Sequence, residues 1–162
     1  MKIPSTPAIH YLRKNNIEFT PHFYQYNQSG AKIAAEKLGF DASIVIKTIV
    51  LENDEGDPFI VLMHGDRDIS FKKMARILKV KNVKACDPRN AQKYTGYKIG
   101  GISPFNIRKK MPVYMEESLL DNPTILINAG KRGFVVEIKP EVLIEFLKAK
   151  KVIIARAHTT RL

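Results

Sequence analysis

A single cysteine, Cys86, stands in the whole sequence. Neither an internal disulfide nor a cysteine-built metal cluster can form, and a lone thiol ordinarily serves as a small buried apolar group. No run of eighteen apolar residues occurs, and the opening MKIPSTPAIHYLRKNN lacks the apolar core of a secretory signal. A soluble, cytoplasmic protein without a membrane partner is therefore expected. Acids are the third scarcity: 16 Asp and Glu face 27 Lys and Arg, for a formal charge of +11. Such a field favours polyanions.

The cations come in groups: Lys72-Lys73; Lys79, Lys81 and Lys84; Arg108-Lys109-Lys110; Lys131-Arg132; and Lys148, Lys150 and Lys151. Several neutralised phosphates give a nucleic-acid binder most of its salt-dependent affinity. A merely solvated basic surface is the other reading, and composition does not separate RNA from DNA.

Nucleotide and metal signatures are missing as well. No Gly-x-Gly-x-x-Gly follows a strand, and Gly130-Lys131-Arg132-Gly133 is too short for a phosphate loop. Gly101-Ile102-Ser103-Pro104-Phe105 is not a nucleophile elbow, because Phe105 stands where the second glycine belongs, so Ser103 reads as a turn or binding residue. His10, His22, His64 and His158 show no helical i, i+4 pair and no acids at ligand spacing. Neither a cofactor nor a metal is expected.

The apolar pattern alternates between helix and strand without repeats or a linker, and one domain over 1–162 follows. Thr6-Pro7 opens a helix through Asn15; a strand covers 19–26; a helix over 31–38 stops at Gly39. SIVIKTIVLE and FIVLMH form a hairpin across NDEGDP. Ser70 and Asp87-Pro88 cap two further helices. MPVYM, TILIN and FVVEI are strands, AGKRG is a tight connection, and Pro140 begins a last helix before KVIIA. The tail RAHTTRL is expected to be disordered. Hairpin-joined strands with helices between the pairs predict an α+β, mixed α/β domain with a mostly antiparallel sheet or partial barrel.

Two features stand out from this background. In SIVIKTIVL, alternation puts Lys47 in one row with Val45, Ile49 and Leu51. A lysine there pairs with an acid, snorkels off an edge strand, or accepts a depressed pKa. The other feature is GYKIGGISPF, which spends three of nine glycines in ten residues. Glycines at this density allow positive φ angles and bare the main-chain N–H groups to close approach.

Taken in order, TPAIHYLRKNNIEFTPHFY, VIKTIVL, YKIGGISPF and NAGKRG resemble the YbaK/EbsC family of aminoacyl-tRNA deacylases over about residues 4 to 156. That family includes bacterial Cys-tRNA(Pro) deacylases, related to the editing domain inserted in prolyl-tRNA synthetases. The resemblance implies a strand-built pocket that hydrolyses the ester between a wrong amino acid and tRNA. It implies that Lys47 is the key lysine with Thr48 as its neighbour, that Gly100, Gly101, Ser103 and Pro104 form the pocket loop, and that Tyr24, Asn128 and Gly130 complete the walls. It implies tRNA as partner, held by Lys72, Lys73, Arg108, Lys109, Lys110, Lys131 and Arg132, with an aminoacyl-tRNA synthetase as a further partner. Where cysteine-specific relatives often carry Ser-Gly-Gly, this chain has Asn128-Ala129-Gly130. Their longer loop after the H-x-Y stretch is shortened here to NQSGAK. Both departures lie in pocket walls, where the amino-acid side chain would be sensed. A non-catalytic tRNA- or synthetase-binding module, and a sensor of a free amino acid, are the rival readings.

Overall fold

The computed structural model describes residues 2–157. Its first helix, α1 (Pro7–Lys14), starts as the sequence predicts: the Thr6 hydroxyl accepts from the Ile9 N–H at 3.1 Å and donates to the Ala129 carbonyl at 2.6 Å. One threonine thus caps a helix and ties it to a distant loop. In chain order there follow β1 (Thr20–Phe23), α2 (Ala31–Leu38), β2 (Ile46–Asn53), β3 (Pro58–His64), β4 (Arg67–Ile69), α3 (Phe71–Leu78), β5 (Val83–Ala85) and α4 (Pro88–Thr95). The second half holds β6 (Val113–Glu116), β7 (Ile125–Lys131), β8 (Phe134–Ile138), α5 (Glu141–Glu145), β9 (Lys150–Val152) and β10 (Ala155–Ala157). Short 3₁₀ turns occupy Ala42–Ile44 and Glu117–Asp121.

The principal sheet has the order β5-β2-β3-β6-β9, a second runs β1-β8-β7, and β4 pairs with β10. The β2–β3 hairpin runs from Ile46↔His64 to Glu52↔Pro58. Its turn is organised by Asn53, whose side-chain oxygen accepts from the N–H groups of Glu55 and Asp57. A parallel bridge between Val45 and Leu126 brings the start of β2 beside β7. The result is the expected mixed α/β domain, and its sheets do not close into a barrel.

Both faces of the principal sheet are covered. Ile46, Val50, Ile60 and Leu62 enter one core with α1 and β7 residues, while Leu51, Phe59, Val61 and Met63 enter another with Met74 of α3. A strand buried on both sides reads as a continuous apolar run, as β3 does from Phe59 to Met63, whereas β2 is half polar and only partly buried.

Several elements depart from expectation. The predicted 19–26 strand is shorter, since β1 pairs with β8 only through Phe23↔Phe134. AGKRG is not simply a connection: β7 continues to Lys131 with a register shift between Asn128 and Lys131. β3, β6 and β9 pair in parallel, a long-range arrangement that hairpin reasoning does not produce. Arg156 and Ala157, expected to be disordered, belong to β10, whereas His158 and the rest of the tail lie outside the described residues. Among the described residues no helix is long and apolar enough to cross a membrane.

Candidate functional site

Only Leu51–Asn53 of β2 pair with β5, so the first half of β2 has an open edge. The Val50 carbonyl accepts from Cys86 N–H on the β5 side at 3.0 Å. Peptide groups two residues apart on a strand face the same edge, so Thr48 presents its N–H and C=O beyond the end of β5. A cavity of about 210 Å³ lies there. Its walls come from β2 (Lys47, Thr48, Ile49), from α2 (Ala31, Ala34), from the loop after α4 (Ile99, Gly100, Ile102), and from Tyr24, Asn128 and Val135.

Lys47 takes the acid-paired option among those its position allows: its Nζ lies 3.6 Å from Asp68 Oδ1 on β4, and its side chain keeps 25% of its exposure. Thr48 contributes a buried hydroxyl with no hydrogen-bond partner among the described residues. Unsatisfied buried polar atoms are uncommon, and one in a cavity wall is available to whatever enters. Burial, and then the neighbouring Tyr26, hold the Tyr24 phenol above its ordinary range, against a hydrogen bond with the main chain of Gly133 that pulls it down. Tyr24 is therefore a neutral donor at physiological pH.

The structure brings Tyr24, Lys47, Thr48, Gly100 and Asn128 together around one space. Gly101, Ser103, Pro104 and Gly130 lie outside that wall. Ser103 is fully buried, its hydroxyl accepting from the Phe105 N–H at 3.2 Å. Pro104 is buried beside it. A Cβ on Gly101 would fall 2.9 Å from the Arg132 nitrogen, and one on Gly130 would fall 2.6 Å from Tyr97 Cε1. Gly101 lets the loop after α4 pack against the β7–β8 connection and Gly130 makes room for the Tyr97 ring, so among these loop glycines Gly100 is the one that lines the cavity, between Ile99 and Ile102. Gly100 has φ +93°, and the Tyr26 ring and Ser29 hydroxyl crowd the place of its missing side chain.

Arg132 stands at the same junction, its Nε donating to the Ile99 carbonyl at 2.7 Å and its guanidinium 5.2 Å from the centre of the Tyr26 ring. Lys131 is exposed next to it. Arg108, Lys109 and Lys110 follow the loop as an exposed row, with Lys109 held 5.3 Å above the Tyr94 ring. Lys72 and Lys73 lie on α3, exposed. Sequence reading missed Tyr26, Asp68 and the small residues of α2. Asp68 carried no local signal, because the three-residue β4 has no periodicity to read.

A larger hollow of about 700 Å³ lies between Phe19 and α5, but Glu18, Glu137 and Glu145 line it, and a polyanion would be repelled there. Glu137 has a structural use: it accepts from Thr124 at 2.7 Å and pairs with His22 at 2.9 Å. Those two hydrogen bonds, Thr124's first, hold its carboxyl below the ordinary 4.5, with burial opposing. A depressed folded-state pKa stabilises the fold above the unfolded value and loses that contribution as pH falls. The thermal midpoint of Glu137→Gln is thus expected below native at pH 7, with the gap shrinking as pH drops below about 4.5. A pH-independent gap would contradict this.

The family described as Aminoacyl-tRNA editing domain matches residues 27–146. A protein of Enterococcus faecalis provisionally named Cys-tRNA(Pro)/Cys-tRNA(Cys) deacylase EbsC is 26% identical over 141 residues, covering 86% of each chain. The proline–tRNA ligase of Limosilactobacillus fermentum is 26% identical over 105 residues, which are 62% of this chain and 18% of the ligase. Among solved structures, the hypothetical protein APE2540 superposes with a TM-score of 0.85 at 18% identity, over 93% of this chain and 100% of that one. A provisionally described trans-editing enzyme for prolyl tRNA synthetase superposes with a TM-score of 0.82 at 20% identity, over 96% and 100%. These two likenesses establish the shared fold. The cavity, with its strand lysine and glycine loop, lies within the matched span apart from Tyr24, and the chain belongs to the aminoacyl-tRNA editing domain family.

Proposed function

We propose that this protein is a trans-acting aminoacyl-tRNA deacylase, and that the cavity at the open edge of β2 holds the acylated terminal adenosine. The observation that carries the reading is the convergence of a cation, the Gly100 main chain and an unpartnered hydroxyl on one small space. No protein nucleophile is needed. Lys47 holds the ester or the terminal ribose, while the main chain at Gly100 and at the edge of β2 receives charge developing on the carbonyl oxygen. Water, or the thiol of a cysteinyl substrate, attacks the carbonyl carbon; the bond to the ribose oxygen breaks and that oxygen takes up a proton. Fixed geometry supplies effective concentrations on the order of 10⁵ M or more, so positioning is the main catalytic device.

The substrate class we assign is Cys-tRNA(Pro)-like or Ala-tRNA(Pro)-like. Ala31, Ala34, Val45, Ile49 and Val135 give the cavity an apolar wall, and Asn128 places an amide where an acyl side chain would lie. Arg132 and Lys131 at the junction, and the row Arg108, Lys109 and Lys110, contact tRNA phosphates, so affinity falls as salt rises. Likeness to a segment of proline–tRNA ligases supports such a synthetase as a partner. The test is a panel of mischarged tRNAs incubated with the protein: release of amino acid from the cysteinyl or alanyl species is expected. Retention of tRNA with no release from any substrate would favour a binding module of the same fold.

A further inference from the structure

Between Ser70 and Cys86 the chain carries six cations, Lys72, Lys73, Arg76, Lys79, Lys81 and Lys84, and no acid. Two of them, Lys72 and Lys73, stand in the first turn of α3, where no acid offsets them. The helix dipole is positive at that end, so these lysines cost the helix stability rather than adding to it. Between α3 and β5 lies a hollow of about 490 Å³. Ala75 and Val83 are its buried apolar lining, and Phe71, Lys72, Arg76 and Lys81 stand exposed around it. Phe71 is 41% exposed, an aromatic left facing solvent among cations.

The hollow and the cavity share no wall residue, but one apolar cluster links them: Ile49 of the cavity packs against the cluster that contains Ala75 and Val83 of the hollow. Phe71 follows Asp68 by three residues, so their Cα atoms lie within about 11 Å of each other. Asp68 in turn is the residue 3.6 Å from Lys47 Nζ. At its other end the hollow reaches Val83 of β5, which pairs with Asn53 at the end of β2, two residues along from the Leu51↔Ala85 pair that borders the open edge.

We propose that this groove carries the unpaired 3′ nucleotides of the tRNA as they leave the cavity: Phe71 stacks on a base, and Lys72, Arg76 and Lys81 neutralise the phosphates. The assignment rests on the Lys47 cavity holding the terminal acylated adenosine. Cations around an exposed aromatic ring are how proteins hold single-stranded nucleic acid, whose bases are free to stack. A duplex keeps its bases stacked inside and would leave Phe71 without a partner.

The experiment measures binding of uncharged tRNA by fluorescence anisotropy, with the intact molecule and with one trimmed of its unpaired 3′ nucleotides. Phe71→Ala is expected to weaken binding of intact tRNA about tenfold and to leave binding of the trimmed form unchanged. Phe71→Trp is expected to retain native affinity, which separates stacking from a packing defect. The triple variant Lys72→Glu, Arg76→Glu, Lys81→Glu should make the salt dependence of log K shallower by about 2. Equal weakening of both RNAs by Phe71→Ala, no weakening of either, or native affinity for the trimmed tRNA would overturn the groove assignment. Because the RNA is uncharged, a protein that shows these effects yet releases no amino acid would sink the deacylase reading and leave the groove standing.

Discussion

Lys47→Met is expected to lower kcat/KM for a mischarged tRNA by a factor of about 10² to 10³, the loss seen when one preorganised donor to a developing oxyanion is removed. Methionine keeps most of the lysine stem, so the apolar row with Ile49 and Leu51 stays filled. The ion pair with Asp68 is 3.6 Å long with both side chains a quarter to a third exposed. Pairs of that kind contribute at most about 1 kcal/mol to stability, so the melting curve should barely move. The two readouts therefore separate: chemistry collapses while the fold remains. Lys47→Arg should recover only part of the rate, since a guanidinium keeps the charge but presents it in a wider, planar fork. A Lys47→Met enzyme with native turnover would remove the cation from the mechanism.

The second large effect is expected at Gly100→Ala. Gly100 has φ +93°, outside the range an alanine adopts readily, and an added Cβ would fall 2.9 Å from the Tyr26 ring and 3.0 Å from the Ser29 hydroxyl. Strain of about 1 to 3 kcal/mol is expected from the backbone alone. The loop must move, carrying the Gly100 peptide with it. A displacement of about 1 Å in a positioned group is enough to cost about 10² in rate. Tyr26→Phe removes the hydroxyl that crowds this site, and the double variant should regain part of the lost activity, a coupling that a double-mutant cycle measures. Additive losses would show that Tyr26 and Gly100 act independently. The comparison with Gly101→Ala is instructive, because that Cβ meets the backbone of Lys131 and Arg132. Backbone cannot swing aside, so Gly101→Ala should lower stability along with rate.

Much of the fold was legible because its signals are local. Ser70 caps α3 by accepting from Lys73 N–H, Gly39 ends α2 at φ 76°, and Asp87 with Pro88 opens α4. The β2–β3 hairpin follows from two apolar runs across a polar turn. The parallel pairing of β3 with β6 and of β6 with β9 was not legible, since no short-range feature records which distant strand lies alongside. The three-residue strands β4 and β5 are too short to show a period.

The site divides in the same way. Lys47 was conspicuous because a charge in an apolar row is costly and must be resolved somehow. Which acid resolves it depends on the turn that places β4, and sixteen acids were available. Thr48 and Asn128 take their place at the cavity from an open strand edge and a register shift, both products of pairing rather than of sequence. Glycines are ambiguous in sequence for a physical reason: one that lets two loops pack closely looks the same as one that admits a ligand. Gly101 packs against Arg132 and Gly130 against Tyr97, while Gly100 packs against Tyr26 and also lines the cavity. Ser103, read from the sequence as a turn or binding residue, accepts from the Phe105 N–H inside the protein.

The most direct measurement is a crystal structure with a stable amide analogue of 3′-aminoacyl adenosine. The acyl carbonyl is predicted to lie at the open edge of β2, within hydrogen-bonding distance of Lys47 Nζ and beside the Gly100 peptide, with Thr48 Oγ1 acquiring a partner. An analogue bound in another hollow, or bound with its carbonyl turned away from Lys47, would contradict the assignment of this cavity as the place where the ester is cleaved.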